Sequence, residues 1–166
     1  MGERCWFAVQ TKPRHEKKVN DELSAKGLRS FLPLYQERRQ WSDRRKSIEV
    51  PLFSSYVFVR LAEGPEPRTR VLRTMGVVRL VGACGRGTPL PDEQIAALQV
   101  IVNERIPLAA HTYLKIGERV RICRGTLTGI EGVLVAIKSG RRLVVSVDLI
   151  QKSVALQLDG IEVERI

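Results

Sequence analysis

Cysteine and histidine are scarce in this chain: three cysteines, Cys5, Cys84 and Cys123, and two histidines, His15 and His111, in 166 residues. An odd number of widely separated cysteines suggests neither a disulfide framework nor a CxxC-type pair, and two histidines beside them make a structural zinc site unexpected. Aromatic residues are also few, nine in all. No apolar run approaches the roughly 20 residues that span a bilayer, and the first residues, "MGERCWFAVQ", lack the long apolar core of a signal peptide. A soluble, cytoplasmic chain with no membrane partner is expected. Catalytic motifs are missing as well. The serines lack a GxSxG elbow, no histidine sits in a metalloprotease pattern, and the acidic residues share no metal motif. The expectation is a non-enzyme without cofactor or metal.

Positive charge is what the chain has in excess. Lys and Arg number 28 against 18 Asp and Glu, for a net charge of +10 and a pI near 10.1. Such a balance suits a negatively charged partner, with nucleic acid ahead of an anionic membrane surface. The length allows one ordinary domain or two small ones.

The hydrophobic pattern favours two. "CWFAVQ" alternates as a strand, and Lys12 to Lys26 then takes helical spacing, with Val19 and Leu23 four apart and Gly27 as a stop. "LRSFLPLYQERRQW" and "RRKSIEVPLF" read as a hairpin around Ser42 and Asp43, leading into the strand "YVFVRL". "EGPEP" reads as breakers, Arg68 to Met75 as a helix with Val71, Leu72 and Met75 on its apolar face, and "VVRLVG" as a strand. "DEQIAALQVIVNER" is an amphipathic helix with Ile95, Leu98 and Val102 on one face and acids at its favourable end. The order β-α-β-β-β-α-β-α implies an α+β fold, an α/β sandwich whose mainly antiparallel sheet is flanked by helices.

From about Ile106 neither period persists, and residues 107–114 read as a linker. Beyond it, "RVRIC", "GVLVAI", "LVVSVDL", "SVALQL" and "IEVERI" imply a five-stranded β-barrel. The expected domains are therefore 1–106 and 115–166, and splitting the charge at Ile106 leaves +7 before the break and +3 after it.

"GTLTGIEGVLV" places Gly125, Gly129 and Gly132 ahead of one of these strands. A phosphate-binding P-loop needs a lysine and a helix after its glycines. Here the continuation is β-branched, so the glycines are read as barrel corners, where positive φ and sharp bends are required.

In "IGERVRICRGTLTGIEGVLVAI" the second half resembles the KOW motif, an SH3-like barrel found in NusG-type transcription factors and in several ribosomal proteins. The first half resembles the N-terminal domain of the NusG family in "CWFAVQTKPRHEKKV", "LFSSYVFVRL" and "LRTMGVVRLVG". "TKPRHEKKV" and "FLPLYQERRQWSDR" are similar to the wording of the specialised RfaH, LoaP and UpxY-like antiterminators. One departure stands out: Ser54 and Ser55 occupy positions where the family commonly has Pro-Gly or Pro-Asn.

The resemblance implies a bacterial elongation or antitermination factor. Its first domain would contact the clamp helices of the largest catalytic subunit of RNA polymerase through Trp6, Phe7, Phe53, Tyr56 and Phe58. Aromatic side chains suit such a role, but an aromatic in a strand is also a core residue, and for Phe58 both readings stand. Matching positions for the non-template DNA strand are Lys12, Arg14, Arg68, Thr69, Arg70 and Arg73, with His15 in the same segment. A third basic group, Arg38, Arg39, Arg44, Arg45 and Lys46, lies in the hairpin. These clusters suit phosphate neutralisation, although basic clusters are often only solvated surface.

By the same resemblance, the loop Thr128, Gly129, Ile130 and Glu131 would dock a second partner, either Rho or a small-subunit ribosomal protein. Ile130 is either an exposed apolar anchor there or a cap on the barrel core. Some paralogues fold this domain as a helical hairpin; the β-branched strands argue for β here. A monomer is the family-based expectation. Two alternatives remain: a housekeeping NusG promoting Rho-dependent termination, and a KOW-type ribosomal or RNA-binding protein.

Overall fold

The computed structural model describes all residues except 1, 105–107, 113–116, 118, 123–126, 138–139, 148–149, 158–162 and 166. The chain divides into two compact units, Met1–Asp92 and Glu93–Ile166. The division falls at the start of a helix, whereas the expected boundary at Ile106 lies outside the described residues.

The first unit runs β1 (Arg4–Thr11), α1 (Glu16–Ala25), β2 (Arg29–Phe31), β3 (Leu34–Trp41), β4 (Arg44–Pro51), β5 (Tyr56–Ala62), α2 (Pro65–Leu72) and β6 (Val77–Leu80), followed by a short 3-10 turn at Ala83–Gly85. Four strands form an antiparallel sheet in the order β2-β5-β1-β6, and β3 and β4 form a separate two-stranded ribbon. The register pairs Phe7 with Val59, Ala8 with Phe58 and Val9 with Val57. Because side chains alternate along a strand, this register separates two faces. Phe7, Val9, Val57, Val59 and Leu61 pack in one core with Val19 and Leu23 of α1 and Val71 of α2. Trp6, Phe58 and Tyr56 belong to the opposite face.

The extra strand relative to the expected order comes from Leu32-Pro33. This dipeptide divides "LRSFLPLYQERRQW" into β2 and β3, since proline has no N–H for a ladder. The carbonyl of Pro33 instead accepts from Leu52 N–H at 2.8 Å and closes the base of the ribbon.

Helix α2 begins earlier than its hydrophobic spacing implied. Pro65 occupies its first turn, where a missing N–H costs nothing, and Gly64 before it adopts φ +123°. Two prolines read as breakers are thus the start of the helix. It ends at Leu72, so Met75 lies beyond it in a turn, and only Val71 of the expected apolar face is buried. Leu72, Met75 and Val78 are 45%, 65% and 54% exposed.

The second unit takes in α3 (Asp92–Asn103) from Glu93 onward. Its buried residues are Ile95, Leu98 and Ile101; Val102, expected on that face, is half-buried. β7 (Leu108–Thr112), β8 (Arg119–Ile122), β9 (Glu131–Ile137), β10 (Gly140–Val147), β11 (Lys152–Gln157) and β12 (Val163–Arg165) form one antiparallel sheet, in the order β12-β8-β9-β10-β11-β7. The five expected strands are β8 to β12, with the last of them beside the first. β7 arises from residues read as linker: "LAAHT" pairs with β11 from Leu108 opposite Leu156 to Thr112 opposite Lys152. A short apolar-small segment without long periodicity is enough to add a strand when a sheet edge is available to pair it.

Candidate functional site

The connection from β1 to α1 carries Lys12, Arg14 and His15, and the structure brings it against the turn that follows α2. Lys12 N–H donates to Gly76 O at 2.8 Å, and His15 N–H to Lys12 O at 3.1 Å. Gly76 has φ +95°, and a Cβ there would stand 3.0 Å from Val19 Cγ2 and 3.1 Å from His15 Cβ. Close approach and positive φ together require glycine at this position. Arg14 takes φ +64° in the tight entry to α1, and its side chain is exposed.

Further contacts lock α1 to α2. Lys26 Nζ donates to Thr74 Oγ1 at 2.8 Å, Arg70 donates to Lys26 O, and Met75 N–H reaches Glu22 Oε1 at 3.4 Å. One surface therefore carries two segments some sixty residues apart in sequence. Lys12, Arg14 and Arg73 are exposed, and their side chains have no hydrogen bond or ion pair among the described residues. Lys18 Nζ lies 3.4 Å from Met75 Sδ.

The remaining expected nucleic-acid residues are already engaged. Arg68 is half-buried with its guanidinium 5.7 Å from the centre of the Phe7 ring, and it donates to Gly64 O at 3.3 Å. Thr69 Oγ1 donates to Pro65 O within the helix, and Arg70 also pairs with Glu66 at 3.9 Å. His15 places Nδ1 3.0 Å from Pro13 O and is half-buried. The exposed apolar residues Leu72, Met75 and Val78 were missed as surface features. The signal was the "TMG" turn, which takes Met75 out of the helix.

The five aromatic candidates separate by strand alternation. Phe7 is buried on the helix-covered face, away from the others. On the opposite face Trp6 is joined to Phe58 through Phe31, and Phe53 packs on Phe58 itself, with ring centres 6.2–6.5 Å apart in each contact. Trp6, Phe53 and Phe58 are buried, as is Phe7. Tyr56 is half-exposed.

The turn before Tyr56 explains the departure at Ser54-Ser55. Ser55 adopts φ +67°, the region that Gly or Asn occupies at least cost. Its N–H donates to the buried Glu16 carboxylate at 2.8 Å, and its carbonyl accepts from Thr11 N–H at 2.8 Å. Ser55 is held in place by the start of α1.

In the second unit, Thr128 and Gly129 are exposed in the turn between β8 and β9. Gly129 has φ +91°, and its N–H donates to Ile122 O at 2.8 Å; Gly132 continues into β9 opposite Val120. Gly125 lies outside the described residues. Strand rather than helix follows the glycines, as a turn requires and a P-loop does not. Ile130 is buried, so the exposed-anchor reading is corrected: it closes the turn with its N–H on Leu127 O and its carbonyl accepting from Ile122 N–H. Glu131 pairs with Arg121, whose Nε is 3.0 Å away, and with Arg119 at 3.6 Å.

Among the described residues no group of three or more His, Cys, Asp and Glu could hold a metal ion, and no helix is long and apolar enough to cross a membrane. Cys5 and Cys84 are free thiols.

The family model described as "Transcription termination factor nusG" matches residues 4–99. The chain is 28% identical to the transcription termination/antitermination protein NusG of Lactococcus lactis over 97% of this chain and 92% of the relative. It is 25% identical to NusG of Staphylococcus carnosus over 100% of this chain and 98% of that one. A solved structure on domain interaction in Thermotoga maritima NusG covers 99% of this chain and 98% of its own, with a TM-score of 0.60 at 22% identity, which is a likeness of fold. With more than half of its length matched by the family model, the chain belongs to the NusG family of transcription termination and antitermination factors.

Proposed function

We propose that this chain is an elongation and antitermination factor that binds the clamp helices of RNA polymerase and the non-template DNA strand, suppressing pausing or termination. The supporting observation is the joined surface at the start of α1 and the end of α2. Lys12, Arg14 and Arg73 supply unneutralised positive charge there, and Leu72, Met75 and Val78 supply exposed apolar area beside it. A single strand presents phosphates to cations and unstacked bases to apolar and guanidinium surfaces, so this mixture suits it better than a uniformly charged patch does.

For the polymerase contact, Tyr56 is the aromatic we assign to the surface, with the buried Phe53 and Phe58 as the support that orients it. The residues after 115 are proposed to form a KOW barrel that recruits a second protein. Its exposed turn residues, Thr128 and Gly129, are the contact positions, in place of Ile130.

Single-round transcription by a bacterial RNA polymerase across a pause and a terminator tests the reading. Wild type is expected to raise read-through, Tyr56→Ala to abolish the gain, and Arg73→Ala to reduce it. A Tyr56→Ala variant as active as wild type would overturn the polymerase assignment. Adding Rho to the same reaction distinguishes the housekeeping alternative, which requires increased termination.

A further inference from the structure

The β3–β4 ribbon stands outside the surfaces described above. β3 and β4 pair only with each other among the described residues, through eight opposed pairs from Leu34/Pro51 to Trp41/Arg44. The base is anchored: Leu34 packs against the core, Leu52 N–H donates to Pro33 O, and Lys17 Nζ of α1 donates to Glu49 O at 2.8 Å. Among the described residues the distal half has no such support. Residues 37–46 carry five cations against two acids, and Arg38, Arg39, Arg44, Arg45 and Lys46 are all exposed.

Stability does not account for this arrangement. Arg39 lies directly opposite Lys46, and like charges facing each other across a ladder are destabilising. Only Arg39 is neutralised, by Glu37 at 3.1 Å; Arg38, Arg44, Arg45 and Lys46 have no ion-pair or hydrogen-bond partner among the described residues. Opposed residues share a face, so Arg39 and Lys46 project on one side while Arg38 and Arg45 project on the other. Cations on both faces of a thin element suit a partner that encloses it, with phosphates on either side.

We propose that the distal half of the β3–β4 ribbon is a contact for duplex DNA, entered through the major groove. A two-stranded ribbon fits the roughly 12 Å width of the B-form major groove. The deep, narrow major groove of A-form RNA excludes it. The eight-residue strands span about 27 Å, enough for the tip to reach a duplex while the base stays on the protein. The contact carries phosphate neutralisation first, and its effect is to hold a duplex against a chain that also binds a single strand.

The test uses the full chain and a fluorescein-labelled B-form duplex titrated across a range of salt. Removing four cations with Arg38→Gln, Arg44→Gln, Arg45→Gln and Lys46→Gln is expected to lower the slope of log affinity against log salt by about 2 to 4 and the affinity by roughly 10-fold or more. A matched variant with Arg4→Gln, Arg29→Gln, Arg86→Gln and Lys152→Gln is expected to change the slope by less than half as much. Replacing Arg38, Arg44 and Arg45 by Lys keeps the charge and is expected to keep the slope, while thermal melting of each variant checks that the fold is intact. An unchanged slope in the Gln variant, or an equal loss in the matched control, would overturn the proposal. An A-form RNA duplex bound as tightly as the DNA and lost in the same variant would overturn the groove assignment.

Discussion

The two faces of the first unit's sheet are built by the same strands and differ in chemistry. One is mainly aliphatic, with Phe7, Val9, Val57, Val59 and Leu61 packed against Val19 and Leu23 of α1. The other is aromatic, with Trp6, Phe31, Phe53 and Phe58 in ring contact. Phe58 and Val59 are neighbours in sequence, both buried, and committed to different clusters. Residue type alone therefore does not say which cluster a ring joins; strand alternation and burial do.

The comparison breaks most clearly at Phe58. Phe58→Ala removes a fully buried ring and is expected to destabilise the first unit by about 3–5 kcal/mol, measured by urea unfolding. An aromatic face that served as a free interface would instead leave stability near wild type. Gly76→Ala probes the edge of the aliphatic face, where a Cβ would meet Val19 at φ +95°. A loss of about 2 kcal/mol is expected in the same assay, from strain and displaced packing.

Tyr56→Ala sharpens the contrast, because Tyr56 lies two residues before Phe58 on the same face but is half-exposed. It is expected to cost only about 1 kcal/mol of stability, so lost read-through would report a contact rather than unfolding. The smallest effect is expected at Ser55. Ser55→Gly relieves a positive φ of 67° and should stabilise by about 0.5–1 kcal/mol, visible as a raised melting temperature.

Much of this fold was legible because hydrophobic period reports local structure directly. "YVFVRL" and "DEQIAALQVIVNER" became β5 and α3 with little change. Errors came where one residue has two uses. Pro65 both breaks and begins helices, and "LAAHT" is linker-like until β11 offers it an edge. The candidate nucleic-acid residues were legible as basic clusters, but their availability was not. Arg68 and Arg73 lie five positions apart on one segment; one is drawn over Phe7 and the other is left in solvent.

The sequence by itself determined the charge excess and the strand and helix periods, since each depends on local chemistry or a short repeat. Tertiary structure decided which aromatics are core, which cations remain unpaired, and that Lys12 meets Gly76. Those outcomes depend on register and on contacts between distant segments, which no local period encodes.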